Sequence, residues 1–252
     1  MNPLGWLTIL CCSAFASCLE QPQNIFILAG QSNMAGRGGL ISGVWDQKVP
    51  VECLPSPKIL RLNGKLAWEE AHDPLHVDID RKVSGTGPGM SFANTLLAKD
   101  PTIGVIGLVP CAVGGTKIDE WAKGMKLYED MIDRTKAALK DGGALRALLW
   151  YQGESDTKYL QDTESYKAKF EKFIADVRGD LQLPALPVVQ VLVTSGDGQF
   201  VEEMRENQQA IRVDNLKQVD SKGLELKSDN VHLTTGSAIE LGKKLADAFL
   251  QF

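Results

Sequence analysis

The sequence predicts an α/β protein: a three-layer α/β/α sandwich with a mainly parallel five-stranded sheet between two layers of helices. Two observations carry this. Short apolar runs alternate with segments of helical period, the mark of repeated βα units and of a sheet covered on both faces. Three of those runs also end in polar, glycine-bearing turns, as strands do where the chain must turn or approach a ligand closely.

The first run, Asn24 to Ala29, leads into Gly30-Gln31-Ser32. Gly39 to Pro88 then breaks the alternation with Pro50, Pro55, Pro57, Pro74 and Pro88, a hairpin signal at Asn63-Gly64 and the acidic stretch EEAHDPLHVDID. A loop of that length is usually functional or carries minor structure of its own, and it reads as an insertion near the site. Gly85-Thr86-Gly87-Pro88-Gly89 lacks both a preceding strand and the Lys-Ser/Thr of a phosphate loop, so it reads as a tight lead-in to a helix over Met90 to Ala98. The second run, Gly104 to Val109, precedes Gly114-Gly115-Thr116, and the third, Leu145 to Tyr151, precedes Gln152-Gly153-Glu154. Tyr166, Phe170, Phe173, Ile174 and Val177 then share one face at helical spacing. Strands at Pro187 to Val193 and Leu216 to Val219 follow, and the helix Thr234 to Leu250 closes the chain with Ile239, Leu245 and Phe249 inward. Ligands of such sheets bind outside the carboxyl ends of the strands, so the turns at 32, 114–116 and 152–154 should converge.

With 252 residues, 44% of them hydrophobic and 23% charged, the chain suits one globular domain, taken as residues 19–252. A formal charge of −5 with scattered Lys and Arg argues against a nucleic-acid partner. Leu4 to Ala16 is apolar and ends in small residues, too short to span a bilayer but suited to a signal peptide over residues 1–18, which predicts secretion without stable membrane insertion. Cys53 and Cys111 would then be left as a candidate disulfide pair in an oxidising compartment. His72, Asp73, His76, Asp78 and Asp80 match no ligand motif, and Pro74 separates the two histidines, so no metal and no cofactor are expected.

A serine needs a base to become a nucleophile at neutral pH, and only His72, His76 and His232 are present. His232 stands in KSDNVHLTTG with Asp229 three residues earlier, an offset at which the carboxylate can accept from Nδ1 and leave Nε2 for Ser32. Each residue taken alone reads more readily as a cap or turn residue; it is their combination that points to acyl transfer. Gly30-Gln31-Ser32-Asn33-Met34 lacks the second glycine of the G-x-S-x-G elbow, which disfavours an ordinary α/β-hydrolase.

GQSNMAG at 30–36, the glycine pair 114–115, WYQGESD at 150–156 and SDNVHLT at 228–234 resemble the SGNH hydrolases. Within them the resemblance is to the sialate O-acetylesterase-like branch, carbohydrate esterase family six, in the manner of its plant members. It runs from about Asn24 to Leu250 and implies a flavodoxin-like sandwich with Ser32 as nucleophile, His232 as base and Asp229 as orienting acid. It also implies an oxyanion hole from the amides of Ser32 and Gly115 and the side-chain amide of Gln152, where the wider superfamily has Asn. Glu154 is a second candidate for holding His232, and Arg37, Trp68, Trp121 and Tyr151 are candidates for a sugar-facing wall. The implied activity is removal of O-acetyl groups from a carbohydrate. A lipase or thioesterase of the same superfamily and a silent carbohydrate-binding protein are the alternatives, and the oligomeric state stays open.

Overall fold

The computed structural model describes residues 20–252. The expected leader over residues 1–18 lies outside the described residues. In chain order the strands and helices are β1 (Asn24–Gly30), α1 (Ser32–Ala35), β2 (Leu40–Ile41), β3 (Val44–Trp45), β4 (Ile59–Leu62), β5 (Trp68–Glu70), α2 (Pro88–Lys99), β6 (Ile106–Pro110), α3 (Lys126–Leu139), β7 (Ala144–Tyr151), α4 (Leu160–Leu181), β8 (Val188–Leu192), α5 (Val201–Gln209), β9 (Leu216–Asp220) and α6 (Thr235–Phe249). The main sheet runs β5-β4-β6-β1-β7-β8-β9. All its neighbours are parallel except β5, which pairs antiparallel with β4.

The five strands expected from apolar runs are β1, β6, β7, β8 and β9. Taken by themselves they lie in the order second, first, third, fourth, fifth, which is the flavodoxin-like order. The sheet nevertheless has seven strands rather than five. The additional two come from the proline-rich insertion, whose Asn63-Gly64 hairpin forms as expected and adds β4 and β5 to the β6 edge. Their apolar signal is short and interrupted: Arg61 sits inside β4, buried, donating to the Leu75 carbonyl at 3.0 Å and to Asp78 at 2.8 Å.

Each face of the sheet is closed by aromatic packing. Phe26 of β1 meets Phe92 of α2 and Phe249 of α6 edge-on, with ring centroids 5.0 and 4.9 Å apart. On the other face Trp150 of β7 meets Trp121 at 5.2 Å and Phe173 of α4 at 4.7 Å. Tyr166, Phe170, Phe173, Ile174 and Val177 are all buried, so the helical face read from spacing is the face that packs. Edge-on rings are favoured by their quadrupoles and add roughly 0.5–1.5 kcal/mol per pair beyond area burial.

Cys53 and Cys111 are both free and buried, so the candidate disulfide is not formed. Burial pushes the Cys53 thiol far up, reinforced by the neighbouring Asp73 carboxylate, and raises Cys111 to about 11. Both thiols stay protonated and behave as small core residues.

Asp73 is itself buried, with no hydrogen-bond partner for either carboxyl oxygen among the described residues, and burial raises its carboxyl to about 7. Because the folded value lies above the ordinary carboxylate value, its contribution to stability is complete below about pH 4 and is lost as pH rises through about 7. Replacing Asp73→Asn should therefore flatten part of the decline in Tm between pH 5 and pH 8. Parallel Tm-against-pH curves for the two proteins would contradict this.

Candidate active site

The site begins at the junction of β1 and β7. Gly30 has φ +121°, and a Cβ there would lie 2.1 Å from the Tyr151 carbonyl oxygen, so only glycine fits. That same carbonyl accepts the Gln31 amide at 2.8 Å, and the chain then turns into the single turn of α1, whose first residue is Ser32.

His232 arrives from the opposite end of the chain in a tight turn. Lys227 N donates to the His232 carbonyl at 2.7 Å and Asn230 N to the Lys227 carbonyl at 2.9 Å, with Asn230 at φ +56°, a conformation asparagine tolerates. Thr234 caps α6 by accepting the Ser237 amide, which ends the turn immediately after His232 and Leu233. Asp229 Oδ1 accepts the amides of Val231 and His232, both at 2.9 Å. Asp229 Oδ2 lies 2.8 Å from His232 Nδ1, and His232 Nε2 lies 2.9 Å from Ser32 Oγ. With Nδ1–H directed at the carboxylate, Nε2 is left as acceptor for the serine hydroxyl. Partial burial works against ionisation of Asp229, but the His232 amide, its imidazole and the Val231 amide outweigh it and hold the carboxyl at about 2. It is therefore an anion across the neutral range.

Opposite Ser32 stands the Gly114-Gly115 turn. A Cβ at Gly114 would meet Arg37 Nη2 at 2.3 Å and Ser32 Cβ at 3.3 Å, and Gly115 has φ +78°. The amides of Ser32 and Gly115 have no hydrogen-bond partner among the described residues. The Gly114 amide is engaged, donating at 3.1 Å to Asp80 Oδ1, while Asp80 Oδ2 pairs with Arg37 at 2.5 Å. This buried ion pair holds the turn against α1. Truncating one partner of such a pair leaves an uncompensated buried charge, at a cost of roughly 3–5 kcal/mol.

Gln152 stands apart from its expected place. It is fully buried, and its Nε2 donates to the Thr116 carbonyl at 2.8 Å and to Asp156 Oδ2 at 2.5 Å, so both amide hydrogens are engaged away from an oxyanion. Burial raises Asp156 to about 7, opposed by the Gln152 amide and the Ile118 backbone bond. The pair braces the segment after Gly115. Glu154 likewise makes no contact with the imidazole: its Oε1 accepts Asn33 Nδ2 at 2.8 Å. Burial raises its carboxyl to about 7 against the lowering effect of that bond.

The sugar-facing wall does not form from the residues expected. Trp121 and Tyr151 are fully buried, Trp68 packs half-buried against the core, and Arg37 is committed to Asp80. The candidate ligand cluster in the insertion is dispersed as well, with Asp78 on Arg61, Asp80 on Arg37, and Asp73 and His76 buried in the interior. Asn33 and Ser195 were not singled out from sequence, and Asp80 entered there only in the discounted ligand cluster; the roles of all three depend on partners 34 to 200 residues away.

The sequence profile described as carbohydrate esterase, sialic acid-specific acetylesterase matches residues 22–251. A probable carbohydrate esterase of Arabidopsis thaliana is 52% identical over 237 residues, 91% of each chain. An X-ray structure of an Arabidopsis thaliana protein aligns with TM-score 0.88 at 51% identity, covering 91% of this chain and 98% of its own. A carbohydrate acetylesterase from Xanthomonas citri aligns with TM-score 0.66 at 19% identity over 89% of this chain and 55% of its own, which shows a shared fold. With the profile matching nearly all of the described residues and half the sequence shared with that plant relative, the chain belongs to the sialic acid-specific acetylesterase family of carbohydrate esterases.

Proposed function

We propose that the protein is a serine esterase that removes acetyl groups from carbohydrate hydroxyls through an acyl-enzyme, with Ser32 as nucleophile, His232 as base and Asp229 orienting it. The observation that carries this is the unbroken Asp229–His232–Ser32 run at 2.8 and 2.9 Å, in a chain of carbohydrate-esterase family. The substrate class, an acetylated polysaccharide or oligosaccharide, rests on that membership and on the names of the relatives. No cofactor enters the scheme.

In this reading Ser32 Oγ attacks the acetyl carbonyl carbon as His232 Nε2 takes its proton. The tetrahedral oxyanion is taken up by the amides of Ser32 and Gly115, which have no other hydrogen-bond partner among the described residues. His232 returns the proton to the sugar oxygen as the carbon–oxygen bond breaks, leaving acetyl-Ser32 and a free sugar hydroxyl. Water then attacks the acyl group, its proton passing to His232 and on to Oγ as acetate departs. Asp229 keeps Nδ1 protonated throughout and stabilises the transient imidazolium.

Acetate release from acetylated xylo-oligosaccharides and from a small aryl acetate tests this. Ser32→Ala should lower turnover by roughly 10³-fold or more with the fold retained. Equal activity of mutant and wild type would refute the serine mechanism, and rates that rise with acyl chains longer than acetyl would point to a lipase-like enzyme instead. Asp229→Asn keeps an oxygen for the Val231 and His232 amides but loses the anion. It should cost roughly 10²- to 10⁴-fold in kcat, and a loss below about threefold would remove Asp229 from its role. The apolar segment at 4–16 supports export, with N-terminal sequencing of protein recovered outside the cell expected to begin near residue 19. A first residue at Met1 would overturn that expectation.

A further inference from the structure

Ser32 and His232 are 200 residues apart, yet they meet at 2.9 Å. Asp229 cannot account for that distance, because it belongs to the same turn as His232 and would travel with it. Something must tie that turn to α1.

Asn33, adjacent to Ser32 and almost wholly buried, makes the connection with one side-chain amide. Its Oδ1 accepts the Leu233 amide at 2.9 Å, and its Nδ2 donates to the Val231 carbonyl at 3.2 Å. The two peptides that flank His232 are thus fastened to the residue that follows Ser32. The second Nδ2 hydrogen goes to Glu154 Oε1 at 2.8 Å. That bond fixes which way the Asn33 amide faces, since a rotated amide would bring its carbonyl oxygen against the carboxyl and its NH₂ against the Leu233 amide. Glu154 is fully buried at the end of β7, and its Oε2 has no partner among the described residues, so its one side-chain bond is the bond to Asn33. Ser195, in the segment after β8, adds a bond from its Oγ to the Val231 carbonyl at 2.7 Å.

We propose that Asn33, oriented by Glu154, is the positioning residue that sets His232 against Ser32 by holding the backbone on both sides of the imidazole. The proposal rests on the reading of Ser32 and His232 as nucleophile and base. It assigns Glu154 a part in the site at one remove, through an amide, in place of direct support of the imidazole. A displacement of about 1 Å between reacting groups can cost on the order of 10²-fold in rate while leaving ground-state binding nearly intact. The effect should therefore fall on kcat.

The test compares Asn33→Ala, Asn33→Asp, Glu154→Leu and Glu154→Gln with wild type and Ser32→Ala on an aryl acetate, with circular dichroism to verify folding. Asn33→Ala and Asn33→Asp should lower kcat by roughly 10- to 100-fold with KM within about twofold. The aspartate is isosteric and keeps the acceptor for Leu233, but loses both donations. Glu154→Leu should fall in step with Asn33→Ala. Glu154→Gln, whose carbonyl can still accept from Asn33, should recover to within about threefold of wild type. A folded Asn33→Ala with wild-type kcat would overturn the proposal, and so would a Glu154→Gln as impaired as Glu154→Leu. If Asn33→Ala does not fold, Asn33→Asp and the Glu154 pair decide. Should Ser32→Ala retain turnover, the serine reading and this one fall together; should it be inactive while both Asn33 variants keep wild-type kcat, the positioning role alone falls.

Discussion

The contact of Gly30 with the Tyr151 carbonyl is the constraint on which the site depends. β1 and β7 lie in parallel register to their last residues, Gly30 opposite Tyr151, and the chain leaves both strands at the same level. Ser32 and the Gln152–Glu154 turn therefore start from one place in the fold. A side chain at position 30 would push the strands apart at the point where Asn33 must reach Glu154. In a flavodoxin-like sheet this is also where the strand order reverses, since chain travel goes from β1 to β6 on one side and then returns to β7 on the other. The meeting of these turns at that reversal is a consequence of topology, and it is where ligands of such sheets bind.

The polar interior behind the site divides into two braces. Arg37 and Asp80 hold the Gly114 amide, and so fix the turn that presents Gly115. Gln152 and Asp156 hold the Thr116 carbonyl and the Ile118 amide one turn further along. Both are buried and joined by hydrogen bonds that favour one arrangement of the core, although Gln152 Oε1 has no partner among the described residues. Local backbone geometry near Ser32 is thereby decided by side chains from the insertion and from the end of β7, elements that never touch the serine hydroxyl.

Much of this was legible in the sequence because it is periodic or local. Apolar runs named the contiguous strands β6, β1, β7, β8 and β9, a helical stripe named the buried face of α4, and the spacing of Asp229 and His232 sufficed to foresee their contact. β4 and β5 were visible only as a hairpin, since Arg61 inside β4 and the two glutamates of β5 obscure any apolar pattern. Gln152 was assigned to the oxyanion by the family resemblance, but Asp156, four residues on, competes for its amide hydrogens, and a preference between two partners is settled by three-dimensional distance. Asn33 gave no signal beyond being polar in a turn of small residues, because both of its backbone partners lie near residue 232. Trp121 and Tyr151 show the reverse failure: aromatic residues near strand ends suggested a binding wall, whereas burying a large ring is the stronger tendency in a core.

His232 lies just before α6, the last helix, and α6 is seated against α2 and against Phe26 at the centre of the sheet. Ser32 thus follows the first strand of the described residues, and His232 precedes their last helix. α6 begins three residues after His232, so the turn that carries the imidazole is anchored from behind by that helix. Under the proposed mechanism, whatever loosens α6 from α2 and Phe26 also loosens the turn that carries His232, so the seating of this helix and the alignment of the site stand or fall together.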